Sequence, residues 1–294
     1  MSTHFPQQNN PIADALGIEF SLSAEGFPVA RTRDLVLAMI TTPAGSFLAS
    51  ALWRESRPLS CLGRGDFYRH DGSLADEAAF IARVIETAEH QRDLHDLGRV
   101  QARIACSTPW GMSQMATIYG SGIVSHVTAG HGGFHLSPDR NLAVPTALRN
   151  ETCWYEEDVE WAAVANAFPD LFTGYERRAA EETIRHHWPE FWETVHGRAL
   201  GVGASRGKDR QEFERIHANH WIVTSAILSG HHAGMTEVIA RYGTERSIGE
   251  IERRYLVDSN EYASRGPFGY VIDEARHQPY DGPSSFVGWS RSAA

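Results

Sequence analysis

Apolar residues recur at helical spacing in several stretches of the chain. A first helix is predicted from about residue 74, with Ser73 as its N-cap, because the apolar positions 80, 81, 84, 85 and 88 share one face. The helical pattern continues to about residue 104, across Gly98. A second helix is predicted over 161–168.

Two further helices are marked by their ends. Thr173 and Glu176 have the spacing of a capping box, which predicts a helix that starts there. Pro189 is well placed to open a short helix that stops before Gly197. The glycine-rich polar stretch that follows, to about residue 209, predicts a linker.

Other stretches have the pattern of strands. Residues 17–32 predict a hairpin that turns at Glu25-Gly26. The 19 residues from Leu35 to Trp53 carry no charge, but the polar centre at 41–46 favours two core elements joined by a turn over a membrane span.

A glycine-rich hairpin region and a C-terminal meander complete the predicted elements. The hairpin comprises a strand over 122–128, a turn at 130–133 and a return strand over 134–136. The meander has predicted strands over 221–228, 237–242, 253–257 and 268–272. Helical segments, a hairpin region and a final antiparallel sheet together predict the α+β class.

Three regions are predicted along the chain. Residues 1–105 form an N-terminal region with a hairpin and helices, 106–200 a central region that carries the motifs, and 201–294 a C-terminal antiparallel region. The last two regions are also compatible with one continuous domain. A chain of 294 residues is long enough to bury a large core without disulfides or structural metal.

Charge and cysteine content limit the expected partners and the expected cellular compartment. Lys and Arg number 27 and Asp and Glu 37, so the net charge of −10 does not favour a nucleic-acid partner. Three widely spaced cysteines argue against a disulfide framework, and no secretory signal is visible, so we expect a cytoplasmic protein without a membrane anchor.

Histidine is unusually frequent, with 15 residues, and its densest group is His126, His131 and His135. On a hairpin these three imidazoles could converge and hold a zinc ion with one open position. The competing interpretation is that they are polar residues bonded to backbone, with no cofactor.

The turn itself combines Gly130, Gly132 and Gly133 with His131. Glycines let backbone N–H groups approach a ligand closely, and a histidine there can act as a general base near neutral pH. Alternatively, the glycines supply the positive φ angles that hairpin turns need.

A burst of acidic residues follows, flanked by Trp154 and Tyr155. Glu156, Glu157 and Asp158 could serve acid–base chemistry or join His131 around a metal. The favoured alternative is that they lie in the first turn of a helix and complement its dipole.

Trp110, in the turn Thr-Pro-Trp-Gly, is either an anchor for a partner or a core residue beside a turn. The chain has no G-x-S-x-G elbow, no H-E-x-x-H pair and no strand–G-x-G-x-x-G–helix unit.

Several strings identify a resemblance. They are TPWG at 108–111, TAGHGGFHLS at 128–137, WYEED at 154–158 and SSFVGW at 284–289. Over about residues 106–290 the chain resembles an uncharacterised family, a domain of unknown function encoded on proteobacterial plasmids, phages and integrative elements. The resemblance implies an accessory protein of mobile DNA and supplies no catalytic positions.

Two functions follow as hypotheses. The first is a protein that binds a host or element macromolecule, most simply a protein partner, and counters host defence; Trp110, the three turn glycines, Trp154, Tyr155 and Glu156 would form its contact surface. The alternative is a hydrolytic enzyme centred on His131 with Glu157, with metal assistance.

Overall fold

The computed structural model describes residues 10–52, 57–243 and 252–287. The chain forms two compact units, Met1–Ile184 and Arg185–Ala294. The boundaries predicted at 105 and 200 stay a prediction.

The first unit begins with an antiparallel sheet of five strands in sequential order. It follows the short helix α1 (Pro11–Ala15). The strands are β1 (Glu19–Leu22), β2 (Pro28–Arg31), β3 (Leu35–Thr42), β4 (Gly45–Leu52) and β5 (Arg69–Leu74).

This sheet confirms two predictions. The predicted hairpin over 17–32 is the β1–β2 pair, and the uncharged stretch from Leu35 is the β3–β4 hairpin, whose turn falls between Thr42 and Gly45. Trp53 lies outside the described residues. The sheet buries apolar side chains on both faces, since Leu37 packs with the helix that follows and Val36 packs with Leu59.

That helix, α2 (Glu77–Leu97), differs from the prediction at both ends. Asp76 caps it, because its side chain accepts a hydrogen bond from the N–H of Ala79 at 2.8 Å. Gly98 ends it in the left-handed conformation that glycine adopts without strain. The chain then enters a strand, so the prediction of helix to residue 104 is wrong.

A second sheet in this unit has the strand order β12-β11-β10-β9-β6. Its strands are β6 (Val100–Ala102), β9 (Met115–Gly120), β10 (Ile123–Val127), β11 (Gly132–Leu136) and β12 (Trp154–Glu156). A separate two-stranded ribbon joins β7 (Ser107–Thr108) to β8 (Gly111–Met112). The predicted glycine-rich hairpin is confirmed as β10–β11.

The short helix α3 (Pro138–Asn141), which the sequence pattern does not predict, lies between β11 and β12. The helices that follow the sheet are as predicted: α4 (Trp161–Ala167), α5 (Gly174–His187) and α6 (Pro189–His196). The capping box is confirmed, because Thr173 Oγ1 accepts from the Glu176 N–H and the Glu176 carboxylate accepts from the Thr173 N–H. Gly197 ends α6 in the left-handed conformation.

The second unit contains α7 (Arg206–Ile216) and an antiparallel sheet in the order β13-β14-β15. The strands are β13 (Trp221–Leu228), β14 (Met235–Tyr242) and β15 (Glu252–Asp258), followed by α8 (Ser259–Ala263). The predicted strand over 268–272 forms no regular strand there, and isolated bridges join Val271 to Ile222 and Gly269 to Gly266. The predicted linker to residue 209 extends into α7.

These elements confirm the α+β class. In the described part of the chain, no helix is both long enough and apolar enough to cross a membrane.

Candidate functional site

One face of the second sheet carries most of the residues that the sequence singled out. In an antiparallel sheet, paired residues lie on the same face. Glu156 pairs with Gly133, Gly133 with His126, and His126 with Ala116, so these four form one row across the strands. Two positions along β11, the paired residues His135 and Trp154 share that face.

The glycines of the turn are required by close contacts rather than by backbone angles. Gly130, Gly132 and Gly133 all lack a positive φ, so the alternative based on turn conformation is wrong. A Cβ at Gly133 would lie 2.8 Å from Cζ3 of Trp110, whose indole therefore occupies the gap in the row. A Cβ at Gly132 would lie 2.5 Å from Oε2 of Glu157. The two glycines thus make room for an indole and a carboxylate.

His131 stands at the tip between the two strands and is exposed. Thr128 fixes its backbone, because the Thr128 hydroxyl donates to the His131 carbonyl at 2.6 Å and accepts from the His131 N–H at 3.3 Å. The threonine therefore holds the loop while the imidazole remains free of these bonds.

The structure brings His131 together with Glu156 and Glu157. An imidazole nitrogen of His131 and one carboxylate oxygen from each glutamate lie within 4.8 Å of one another. Among the described residues, these three side chains are the group whose spacing could hold a metal ion. An imidazole with two carboxylates is a ligand set that suits zinc and manganese. Three protein ligands also leave coordination positions for water or substrate.

The two oxygens of Glu156 have different surroundings. Oε2 accepts hydrogen bonds from the N–H groups of Asp158 (2.7 Å) and Val159 (3.3 Å). Oε1 is buried and has no hydrogen-bond partner in the part of the chain that the structure describes. A buried carboxylate oxygen without a partner costs free energy that a bound cation would recover.

Glu160 holds the Glu156 backbone in place. Its Oε2 accepts from the Glu156 N–H at 3.1 Å, and its carboxylate lies 3.4 Å from the side-chain amide nitrogen of Asn150. A second carboxylate that orients the residue bearing the first is typical of the outer shell of metal sites.

Tyr155 points to the opposite face and anchors β12 in the core. It is fully buried, and its hydroxyl donates to Oδ1 of Asn141 at 2.5 Å and accepts from the Asn150 N–H at 3.1 Å. Cys153, just before β12, has a φ of 63°. Among the described residues it is the only one other than glycine with a positive φ. The strand thus enters the site from a fixed and strained position.

The acidic burst does not lie in a helix. Glu156 ends β12, Glu157 and Asp158 form a turn, and the first turn of α4 carries no acidic residue. The interpretation based on the helix dipole is therefore wrong. The turn instead aims Glu157 back at Gly132, whose carbonyl accepts from the Glu157 N–H at 3.1 Å.

His126 and His135 belong to an aromatic cluster rather than to the group around His131. Both rings contact Trp154, with centroid distances of 5.5 and 4.4 Å, and Trp110 meets the same indole edge-on at 5.8 Å. Burial lowers the pKa of both histidines, and for His126 the neighbouring His135 lowers it further. The three histidines form no ligand group among the described residues.

The structure therefore places the glycine turn next to the acidic residues 156 and 157. From the sequence alone, this arrangement was one of several alternatives. Trp110, Gly132, Gly133 and Trp154 border the site, while Gly130 has nothing within 4 Å of the position a Cβ would take. Sequence reasoning missed Glu160, although its spacing of four residues from Glu156 was a usable signal, and it missed Cys106 and Ser113 beside His126.

Comparison with known proteins finds a domain in this segment. Residues 103–218 match Domain of unknown function (DUF7007), which confirms the prediction of an uncharacterised domain over that range. The segment contains every residue of the site described above. Neither the search of curated proteins nor the search of solved structures found a match.

Proposed function

We propose that the protein is a hydrolytic enzyme that uses a divalent cation held by His131, Glu156 and Glu157. The observation that carries this proposal is the buried Oε1 of Glu156, which has no hydrogen-bond partner among the described residues, together with the ligand-type atoms of Glu156, His131 and Glu157 that lie within 4.8 Å of one another. A cation there would satisfy the oxygen and offset the repulsion of two adjacent carboxylates.

The chemistry follows from the ligand set. A cation with three protein ligands retains a water molecule, lowers the pKa of that water and polarises a bound carbonyl or phosphoryl oxygen. Because His131 and Glu157 are exposed, substrate would reach the cation from solvent. Trp110 and Trp154 would form the apolar border on the side of the sheet.

The test begins with protein stripped of metal. Calorimetric titration with Zn²⁺ and with Mn²⁺ is expected to show one site in the wild type and none in His131→Ala. Asp158→Asn is the matched control, since Asp158 is the neighbouring acid outside the ligand group, and it should bind as the wild type does.

Hydrolysis is then measured on bis-p-nitrophenyl phosphate. The metal-loaded wild type and Asp158→Asn are expected to turn over this probe, and His131→Ala to lose that activity by at least a hundredfold. Absence of metal binding in the wild type, or equal turnover by His131→Ala, would reject the proposal.

A second function is supported by a different observation. In β13, at the edge of the C-terminal sheet, residues 224–228 are exposed, including Ile227 and Leu228 at 38% and 72%. An exposed apolar edge strand can accept a strand from a protein partner. With the sequence resemblance, this supports a cytoplasmic accessory protein of a mobile genetic element that binds a host or element protein, as in counter-defence.

This second proposal has its own test. Cross-linking in the native host, followed by mass spectrometry, is expected to give one stoichiometric partner for the wild type that is lost in Leu228→Lys. Val202→Lys is the control, because Val202 is fully exposed in a loop outside the sheet. Equal cross-linking by Leu228→Lys and the control would remove the edge strand as the binding surface.

A further inference from the structure

A cysteine and a histidine meet on the same sheet face, apart from the proposed metal ligands. The Sγ of Cys106 lies 3.7 Å from Nδ1 of His126, and the hydroxyl of Ser113 lies 3.0 Å from the same nitrogen. His126 is buried, at 4% exposure, while Cys106 is half-buried. Of the two residues, the histidine therefore lies deeper in the protein.

We infer that Cys106 and His126 form a nucleophilic thiol–imidazole pair that reacts with the carbonyl carbon of an ester or thioester. The thiolate is the reactive form of cysteine, and a positioned histidine produces it by taking the thiol proton. Separations of this size are usual for such pairs before substrate binds.

The surroundings favour the ring as a base. Burial keeps the imidazole neutral near pH 7, because it lowers the pKa of His126, and His135 acts in the same direction. With its proton on Nε2, the neutral ring presents Nδ1 to the thiol as an acceptor. In this tautomer the hydroxyl of Ser113 also donates to Nδ1, at 3.0 Å, and the carbonyl of Met115, at 3.4 Å, is its alternative acceptor when the thiol proton moves to the ring.

The rest of the surroundings hold the ring in place. Its aromatic neighbour is Trp154 on β12, and the titratable group that faces it from β11 is His135. The pairing of His126 with Gly133 and Ala116 fixes the backbone on both sides. The nitrogen that faces Cys106 is therefore set by the sheet and not by a mobile loop.

The proposed acyl transfer needs no cofactor. The sulfur bonds to the carbonyl carbon as the thiol proton passes to Nδ1 of His126. The proton then goes to the departing alcohol or thiol as its bond to carbon breaks, which leaves an acyl group on Cys106. Hydrolysis of that thioester would return the free thiol.

The test compares the three free cysteines in the intact, metal-free protein. The probe is limiting iodoacetamide, with which a sulfur–carbon bond forms and iodide leaves, and labelled peptides are quantified by mass spectrometry. We expect Cys106 to label at least tenfold more slowly in His126→Asn than in the wild type, while exposed Cys61 is unchanged in both. A fall of less than tenfold at Cys106 would overturn the pair.

The wild type alone provides a second measurement, in case His126→Asn does not fold. An ordinary thiol with a pKa near 8.5 labels about ten times faster at pH 7.5 than at pH 6.5. Because a neutral imidazole takes the proton, labelling of Cys106 should change less than about threefold over the same interval. A tenfold rise at Cys106, or labelling slower than Cys61 at pH 6.5, would show a structural contact only.

The acyl chemistry has its own readout. Incubation with p-nitrophenyl acetate is expected to acetylate Cys106 in the wild type, to spare Cys61, and to give at least tenfold less acetylation in His126→Asn. Acetylation equal at Cys106 and Cys61 would overturn the assignment of a carbonyl electrophile.

Discussion

Two glutamates, one in each unit, show how differently a protein can surround a buried carboxylate. Glu237 on β14 is fully buried, and both of its oxygens are bonded: Arg254 donates to Oε1 at 2.7 Å, and the Ser285 N–H donates to Oε2 at 2.7 Å. Glu156 on β12 has one oxygen bonded to backbone and one without a partner among the described residues. The first arrangement is complete by itself, and under our proposal a bound cation would complete the second.

The two regions also differ in what surrounds the carboxylate. The guanidinium of Arg254 compensates the charge of Glu237, whereas Glu156 lies beside a second carboxylate and an imidazole. Buried charge is stable when it is paired and hydrogen-bonded. We therefore expect Glu237 to stabilise the fold and Glu156 to stabilise a bound cation, and the following variants separate these roles.

The largest effect is expected for Glu237→Ala. This variant removes the carboxylate that compensates the buried guanidinium of Arg254, and it should lower the free energy of unfolding by about 3–5 kcal/mol. Urea unfolding checks the value. Glu212→Ala is the control, since Glu212 forms an exposed ion pair with Arg215 and its removal should change the free energy of unfolding far less. Equal effects of the two variants would contradict the comparison.

The ion pair between Glu237 and Arg254 also makes the free energy of unfolding depend on pH. Burial raises the pKa of Glu237, but the hydrogen bonds from Ser285 and Arg254 outweigh it, so the pKa lies below the ordinary value of 4.5. A lowered pKa in the folded state means that the stabilisation is complete above pH 4.5 and is lost as the pH falls toward the lowered value. Below pH 4.5, the free energy of unfolding of Glu237→Gln should therefore change less with pH than that of the wild type.

Glu156→Gln should act through the metal instead. Its amide oxygen can still accept from Asp158 and Val159, so without metal its free energy of unfolding should stay within about 1 kcal/mol of the wild type. A metal at one hundred times its dissociation constant stabilises the wild type by about 2.7 kcal/mol. Thermal unfolding with and without Zn²⁺ should show that gain in the wild type alone. A large loss in the metal-free variant would make Glu156 structural, like Glu237.

The glycines of the turn give a matched pair of variants. Gly133→Ala would place its Cβ against the Trp110 ring and the Tyr155 carbonyl, and overpacking of this kind costs about 1–3 kcal/mol. Gly130→Ala meets nothing within 4 Å, so its cost should be below about 1 kcal/mol. Urea unfolding of both variants distinguishes a shaped site from a generic turn, because equal costs would mean that the indole does not require the glycine.

The smallest effect is expected for Glu160→Gln. Glu160 does not belong to the ligand group and orients the Glu156 backbone, so its loss of charge should weaken metal binding about tenfold without abolishing it. Calorimetric titration with Zn²⁺ measures this change. Unchanged affinity would mean that the turn positions Glu156 without help from Glu160.

Local patterns were sufficient for elements whose signals lie within a few residues. The capping box at Thr173, the opening of α6 at Pro189 and the β3–β4 hairpin all follow from the chemistry of adjacent residues. Prediction failed where a distant partner decides. The stretch after Gly98 has a helical pattern, yet Val100–Ala102 pairs with β9 and becomes a strand.

The candidate site divides in the same way. Residue types that bind metals or move protons could be listed from the sequence, and His131, Glu156 and Glu157 were among them. The sequence could not choose between the three histidines and the histidine with two acids, because strand register makes that choice. The pairing of β11 with β12 places Glu156 opposite Gly133, beside the turn that bears His131.

By itself, then, the sequence determined the α+β class, the helix ends marked by Thr173, Pro189 and Gly197, and the chemical types available at the glycine turn, since these depend on periodicity, caps and composition. Tertiary structure alone decided that Gly132 and Gly133 are close-packing positions, that Glu156 is a strand residue with an oxygen that no described residue bonds, and that Cys106 faces His126. These features arise from contacts between strands separated along the chain, which no local pattern encodes.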